Sequence, residues 1–191
     1  ESYSGERPLL VREGPLRGFV CEIIRRTGSA ADEARQVGDH LVDANLAGHD
    51  SHGVGLLPTY VRHFEAGLVR PNTAATKVLD DGAIMVFDGG RGYGRRVAGE
   101  AMDAGIDRCR ETGVVLLGLR GAHHVGRIGA YGEQALCAGL ISIHFVNVSG
   151  SLLVAPFGGV ERRMSTCPVA IGVPREGKPP LILDFATSVV A

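Results

Sequence analysis

Apolar side chains recur with a helical period along the first third of the chain. The first set lies on one predicted helix face between Pro15 and Gly28: Leu16, Phe19, Val20, Ile23 and Ile24. A second helix of the same period is predicted to start at a capping box over residues 29–32 and to end by Gly48. A third, short helix is expected from about Pro58 to a cap at Gly67. The pattern therefore predicts a helical N-terminal region.

After residue 75 the pattern changes to strands. Two apolar runs, 76–79 and 83–87, flank Asp80, Asp81 and Gly82, which predicts a β-hairpin. The later predicted elements are a helix over about 96–112, a buried strand over 114–119, a helix over 130–138, and strands over 140–148, 169–173 and 181–185. This order of helices, hairpin and strand–helix–strand predicts an α/β protein with a mixed sheet and N-terminal helices.

Composition excludes several classes of protein. Hydrophobic residues make up 45% and charged residues 21% of the 191 positions, so the chain is not of the disordered class. A net charge of −1 argues against a nucleic-acid partner and a polybasic membrane binder, and no apolar run approaches the ~18 residues of a membrane span. Four separated cysteines without a CxxC motif indicate reduced thiols in a cytoplasmic protein.

Glycine is unusually frequent, at 28 of 191 residues, about twice the ordinary share. The string over residues 89–94 does not match the G-x-G-x-x-G spacing of a Rossmann fingerprint, because its glycines fall at positions 89, 90, 92 and 94. We interpret it as a turn into the next helix. The excess is expected to serve tight turns and close backbone approaches.

Two histidine-containing loops carry the candidate chemistry. In the first, His49, Asp50, Ser51 and His52 lie between glycines, where an imidazole could act as a general acid or base. The same residues also suit a helix-capping loop. A metal site is a further alternative, since His49 and His52 are three residues apart, although no third ligand is evident.

The second loop begins with His123 and His124, directly after a predicted strand and before a predicted helix. Ligands of α/β proteins commonly bind at such a place. Backbone N–H groups over residues 125–129 could face a pyrophosphate, with Arg127 pairing to it. The alternative is a loop with a satisfied histidine and a solvated arginine.

Four motifs in this order resemble the type 2 malate/L-lactate dehydrogenase family: GHDSHGV at 48–54, HHVGRIG at 123–129, VAPFG at 154–158 and LDFAT at 183–187. The stretch 51–58 is most similar to the hydroxycarboxylate dehydrogenase branch. The resemblance covers nearly the whole chain from about Phe19. It implies an atypical, non-Rossmann NAD(P)-binding fold and a dehydrogenase that interconverts a 2-hydroxy acid and a 2-oxo acid.

The resemblance also implies the site and the assembly. NAD or NADP would be the cofactor, and the enzyme would be a homodimer with active sites between subunits. By motif, the catalytic residues would be Ser51, His52 and His124. The cofactor-contacting residues would be His124, Val125, Gly126, Arg127, Ile128, Asp184, Phe185 and Ala186. No metal ligands are predicted.

The sequence departs from the family pattern at three places. Leu56 stands where many members have an arginine that pairs with the substrate carboxylate. Either another cation, such as Arg62 or Arg127, replaces it, or the substrate is bulkier and less polar at that place. Cys167 stands where many members have asparagine. The chain also stops at Ala191, whereas family members continue.

We therefore expect a helical region over 1–75 carrying the active-site loop, and over 76–191 the N-terminal part of the cofactor-binding domain. Two alternatives remain open at this point. One is an inactive, truncated fragment that dimerises. The other is a metal-dependent hydrolase built on His49, His52 and His123.

Overall fold

The computed structural model describes residues 10–150 and 152–188. The helices are α1 (Glu13–Arg26), α2 (Ala31–Leu46), α3 (Leu57–Glu65), α4 (Gly94–Thr112) and α5 (Gly129–Cys137). The strands are β1 (Thr76–Asp81), β2 (Ile84–Asp88), β3 (Leu116–Arg120), β4 (Ser142–Phe145), β5 (Val169–Val173) and β6 (Leu181–Phe185). Two short 3-10 turns, Asp50–His52 and Val54–Leu56, join α2 to α3.

The strands form two three-stranded sheets. In the first, β1 pairs with β2 antiparallel and β2 pairs with β3 parallel; in the second, β4, β5 and β6 are all antiparallel. Met85 and Phe87 of the first sheet pack on Ala101 of α4, and Ala170 of the second sheet packs on Tyr131 of α5. The α/β class with a mixed sheet is confirmed, with the strands divided between two sheets.

The three N-terminal helices build a separate apolar cluster. Ile24 of α1, Leu41 of α2 and Tyr60 of α3 are buried together, and Tyr93 at the start of α4 joins them with no exposed surface. The helical periodicity therefore predicted both the elements and the faces that meet, although Phe19 lies off the buried face with 62% of its surface exposed.

The predicted capping box of α2 is wrong. The N-cap residue is Ala30, whose backbone N–H donates to the side-chain oxygen of Asn72 at 2.7 Å. The Ser29 hydroxyl instead donates to the carboxylate of Glu33 at 2.7 Å. A tertiary partner from the chain beyond α3 thus replaces the local cap.

The strand predicted over 114–119 is confirmed as β3, but its predicted burial is wrong. Strand β3 starts at Leu116 and lies at the edge of its sheet, and Val114 and Leu116 are about two-thirds exposed, at 64% and 67%.

The predicted hairpin is confirmed, with Asp80 and Asp81 inside β1 and the turn at the left-handed Gly82. Strand β4 is shorter than its prediction, and the glycine string does lead directly into α4.

Candidate active site

The loop after α2 is held by an asparagine that the sequence reasoning missed. The Asn45 side chain donates to the carboxylate of Asp50 and accepts the backbone N–H of Val54 at 2.8 Å. A Cβ at Gly53 would lie 2.2 Å from the Asn45 side-chain oxygen, so this glycine allows the close approach. These bonds fix the two 3-10 turns that carry His52.

His52 and His124 meet although 72 residues separate them. Nδ1 of His52 lies 3.0 Å from Nε2 of His124, and the two rings stack at an angle of 14°. The hydroxyl of Tyr60 on α3 lies 2.8 Å from Nδ1 of His124. The structure therefore joins two predicted site residues and adds Tyr60, which was assigned only to a helix.

Ser51 is not part of this contact. Its side chain is exposed, and it makes no hydrogen bond to any residue that the structure describes. The role of Ser51 implied by the resemblance stays a prediction.

A second pair of imidazoles lies beside the first. Nδ1 of His63 is 2.8 Å from Nε2 of His123, and the His123 ring packs edge-on against Tyr60. Nδ1 of His123 is buried and has no partner among residues 10–150 and 152–188. Within those ranges no three His, Cys, Asp or Glu side chains are arranged to hold a metal, so His49, His52 and His123 form no such group.

Burial governs the protonation of these histidines. It lowers the pKa of His124 to about 4, assisted by the nearby His52, His123 and His63. Burial and His63 lower the pKa of His123 to about 4. The pKa of His52 is lowered mainly by burial and also by His49, with Asp184 acting in the opposite direction. His52, His123 and His124 are therefore neutral at neutral pH, the form that accepts a proton.

The loop that begins with His124 is anchored by a buried histidine of α2. The backbone N–H of Arg127 donates to Nε2 of His40 at 3.1 Å. Gly126 is left-handed, with φ of 77°, and a Cβ there would lie 1.9 Å from the same nitrogen. The sequence reasoning missed His40, because it sits on the apolar face of α2 beside Val37 and Leu41.

The amides at the start of α5 are already occupied. The N–H of Gly129 donates to the Asp184 carboxylate at 2.8 Å, and the His49 ring lies 3.9 Å from the same oxygen. The guanidinium of Arg127, 6% exposed, pairs with Glu133 at 2.6 Å. The backbone N–H groups of Arg127 and Gly129 already have acceptors inside the protein. The expectation that they face a pyrophosphate is therefore wrong for these two groups. The same contacts place the predicted segments 124–128 and 184–186 side by side.

The two residues that differ from the family pattern, Leu56 and Cys167, lie in different parts of the structure. Leu56 packs against the helical core, and Arg62 is exposed and donates to the Thr59 hydroxyl at 2.8 Å. Cys167 has a φ of 41°, in the left-handed region that asparagine tolerates better than cysteine does. It lines an open cleft of about 410 Å³ that also includes Thr187, directly after the predicted 184–186 segment.

We expect the stability of the protein to fall as the pH drops from about 6.5 toward 5. The pKa of His40, lowered by burial to about 3, and those of His123 and His124, at about 4, lie below the unfolded value. The unfolded chain therefore binds more protons in this window, and each group contributes a slope of up to about 1.4 kcal/mol per pH unit. Urea unfolding at several pH values measures that slope.

His40→Gln is the matched control for the pH experiment. Glutamine can accept a hydrogen bond from the Arg127 N–H but does not titrate. The free energy of unfolding of this variant should therefore fall less steeply with decreasing pH than that of the unmodified protein. A stability that stays constant from pH 7.5 to 5, or an unchanged slope in His40→Gln, would contradict the assignment.

Gly94→Ala is expected to lower the free energy of unfolding by about 1–3 kcal/mol, because overpacked sites force the backbone to move. A Cβ at Gly94 would lie 2.2 Å from the carbonyl oxygen of His124 and 2.4 Å from that of His123. Gly99→Ala in the same helix meets only a guanidinium nitrogen of Arg95 at 4.0 Å, so it should raise stability by up to about 1 kcal/mol. Thermal unfolding compares the stabilities of the two variants. Equal changes in stability would exclude a close approach of Gly94 to the carbonyl groups of His123 and His124.

The chain belongs to the malate/L-lactate dehydrogenase family, whose model matches residues 11–191. It is 45% identical over 176 residues to hydroxycarboxylate dehydrogenase B of Escherichia coli, covering 92% of this chain and 49% of that protein. It is 43% identical to an L-lactate dehydrogenase of Cupriavidus necator, covering 92% of this chain and 51% of that one. The resemblance stated from four motifs is confirmed.

Solved structures agree with this assignment. The malate dehydrogenase of Pyrococcus horikoshii superposes with a TM-score of 0.90 at 33% identity, covering 100% of this chain and 54% of the other. The sulfolactate dehydrogenase of Methanocaldococcus jannaschii gives 0.89 at 31% identity, with 96% and 52% covered. The chain spans about half the length of the relatives it matches. Among the described residues, no helix has the length and apolar character needed to cross a membrane.

Proposed function

We propose that the protein is an NAD(P)-dependent oxidoreductase that interconverts a 2-hydroxy acid and a 2-oxo acid by hydride transfer. The observation that carries this proposal is the His52–His124 pair, which joins two of the four motifs that carry the resemblance to the family. Relatives are named for hydroxycarboxylate, lactate, malate and sulfolactate, which supports a small 2-hydroxy acid as the substrate class.

The His52–His124 pair accepts and returns the hydroxyl proton of the 2-hydroxy acid. A bound nicotinamide supplies the hydride acceptor for oxidation and the hydride donor for reduction. As the hydride leaves C2 of the hydroxy acid, an imidazole of the pair takes the hydroxyl proton, and the imidazolium returns it in the reverse direction. Ser51 is proposed to orient the substrate or the imidazole. His52 and His124 are neutral near pH 7, which suits the accepting role.

The residues around the second loop suit a dinucleotide. The segments 124–128 and 184–186 adjoin through the bond between Gly129 and Asp184. Nε of Arg127 and a terminal nitrogen of Arg95 are buried donors without a partner in the described chain, the type of donor that phosphate oxygens accept from. We therefore propose that His124, Val125, Gly126, Arg127, Ile128, Asp184, Phe185 and Ala186 contact NAD or NADP.

The substrate carboxylate needs a cation that Leu56 cannot supply. Glu133 already balances the charge of the buried Arg127. Arg62 is exposed, and within residues 10–150 and 152–188 its side chain bonds only the neutral hydroxyl of Thr59. Arg62 is therefore the stronger of the two proposed replacements.

The complete assembly is proposed to be a cytoplasmic homodimer, with residues 1–75 and 76–191 as its helical and cofactor-binding parts. The second sheet leaves apolar side chains exposed on one face, among them Ile143, Phe145 and Leu183. An apolar face of this kind suits burial against further protein.

Titration of the full-length gene product with NADH and with NADPH tests the proposal. Enhanced fluorescence of a bound nicotinamide, followed by oxidation of the cofactor with a member of a 2-oxo acid panel, is the expected result. Absence of binding of both cofactors would refute the proposed NAD(P) dependence. Binding without turnover of any 2-oxo acid would refute the substrate class.

A further inference from the structure

His52 is the imidazole of the pair that has a ring nitrogen free for a substrate. Both ring nitrogens of His124 have partners: Nδ1 lies 2.8 Å from the Tyr60 hydroxyl, and Nε2 lies 3.0 Å from Nδ1 of His52. Nε2 of His52 bonds no residue within 10–150 and 152–188, and it is not among the buried atoms that lack a partner there. A neutral His52 with its hydrogen on Nδ1 donates to His124 and keeps an electron pair on Nε2, where a proton can bind.

A buried carboxylate lies beside the turn that carries His52. The Asp184 side chain is 8% exposed, and its Oδ2 lies 3.9 Å from Nε2 of His49. The same oxygen accepts the N–H of Gly129 at 2.8 Å, at the start of α5, where the helix dipole favours a negative charge. The backbone N–H of His52 donates to the carbonyl oxygen of His49 at 2.9 Å. Asp184 therefore faces the same turn that holds the proton acceptor.

The second sheet brings a further imidazole to this carboxylate. His144 of β4 and Asp184 of β6 both pair with Ala170 of β5, so the three residues form one row across the sheet. Ala170 packs on Tyr131 of α5, which places the row on the covered face. Burial lowers the pKa of His144 and of His52, and the charge of Asp184 opposes this effect in both cases. Asp184 is thus a buried negative charge that several imidazoles share.

The other ionisable groups in this region do not replace that charge. Those that surround His52 or Asp184 are His49 and Asp50 in the turn, His124 and Arg127 in the second loop, His40 on α2 and His144 on β4. Asp50 is exposed, and its carboxylate accepts from Asn45. The Arg127 guanidinium pairs with Glu133 at 2.6 Å. Asp184 is the carboxylate that favours a proton on His52.

We propose that Asp184 is a positioning residue for the proton transfer: its carboxylate stabilises the imidazolium that forms when His52 takes the hydroxyl proton of the 2-hydroxy acid. In this step the O–H bond breaks, an N–H bond forms on Nε2 of His52, and the hydride leaves C2 for the nicotinamide. One positive charge thus passes from the nicotinamide to His52, in the field of the buried carboxylate. The inference rests on the proposed function, and it adds a role to the cofactor contact proposed for residues 184–186.

Asp184→Asn tests this charge, because asparagine keeps an oxygen that can accept the Gly129 N–H. In the full-length enzyme, the acid limb of kcat/KM for oxidation of the 2-hydroxy acid should move to lower pH by about one unit, since His52 holds a proton less tightly without the carboxylate. The plateau at higher pH should fall by about 3- to 10-fold, because a weaker base takes the proton more slowly. An acid limb that stays in place would overturn the proposal.

Asp88→Asn is the matched control for this profile. Asp88 lies at the end of β2 in the first sheet, and its carboxylate likewise accepts a glycine N–H, that of Gly90 at 2.9 Å. It faces none of the four imidazoles near Asp184, so the acid limb should keep its position. An equal shift in Asp88→Asn and Asp184→Asn would refute a specific role for Asp184.

His49→Gln should move the acid limb in the opposite direction. A protonated His49 ring, 3.9 Å from Oδ2 of Asp184, offsets part of the carboxylate charge and repels a proton on His52. Its removal should therefore shift the limb to higher pH. This variant keeps Asp184 in place, so it tests the proposal even if Asp184→Asn does not fold, and a shift to lower pH would contradict it.

Histidine NMR of the full-length protein without nicotinamide measures the same interaction without any activity. The ring signals of His52, identified by their loss in His52→Gln, should titrate about one pH unit lower in Asp184→Asn than in the unmodified protein. An unchanged midpoint would overturn the proposal even if the enzyme is active. The expected shift in a protein that binds neither NADH nor NADPH would support the action of Asp184 on His52 while rejecting the proposed function.

Discussion

His52→Ala is expected to reduce kcat of the full-length enzyme by about 10²- to 10⁴-fold, the usual contribution of a positioned general acid or base. The variant removes the imidazole whose Nε2 is open to a substrate. His124→Ala should also cut turnover severely, since it removes the partner 3.0 Å from Nδ1 of His52. Steady-state kinetics with the best 2-oxo acid and cofactor measures both losses.

The loss must come from chemistry and not from unfolding. His63→Ala is the matched control, because it removes a half-buried imidazole of the neighbouring His63–His123 pair. It should keep kcat within about threefold, and all three variants should keep the cooperative thermal unfolding of the unmodified protein. Full activity of either His52→Ala or His124→Ala would remove that residue from the mechanism, and an equal loss in His63→Ala would show that the effect is not specific.

Glu33→Ala is expected to lower the free energy of unfolding by about 3–5 kcal/mol, the range for breaking a buried ion pair. The Glu33 side chain is 1% exposed and lies 3.2 Å from the Arg96 guanidinium. Its carboxylate also accepts the Ser29 hydroxyl at 2.7 Å and the Asn72 backbone N–H at 2.8 Å. Removing it leaves buried donors unpaired, so urea unfolding at neutral pH should show a large loss.

The adjacent residue supplies the control for Glu33. Asp32 is in the same turn of α2 and pairs with Arg35 at 2.6 Å, but its side chain is 79% exposed. Exposed pairs contribute little, so Asp32→Ala should change stability by less than about 1 kcal/mol. A loss at Glu33 no larger than that at Asp32 would contradict the role of this network.

Whether a secondary-structure prediction was confirmed depends on whether it rested on residues close together in the chain. Helices α1 to α3 were predictable because their apolar period directly records which face is buried. The burial of β3 was not predictable, because a continuous apolar run does not show whether a strand is central or at a sheet edge. The cap of α2 was mispredicted because Asn72, 42 residues away from Ala30, supplies it.

The residues of the candidate site likewise include some that the sequence identified and some that it did not. The motifs identified His52 and His124 as candidates, but spacing along the chain does not give the distance between them. Tyr60, His40 and Asn45 were missed because each lies on a helix whose pattern accounts for it as a packing or surface residue. One available signal was the glycine at each close approach, since Gly53 and Gly126 face Asn45 and His40.

The sequence by itself determined the family, the helical faces and the histidines that carry the candidate chemistry, because these depend on residue type and short spacing. Only the tertiary structure decided which nitrogen of which histidine is open to a substrate, which amides of the second loop are occupied, and that Glu33 ties α2 to α4. Those properties depend on distances between residues far apart in the chain, which are set when α2, α3 and the loop after β3 pack together.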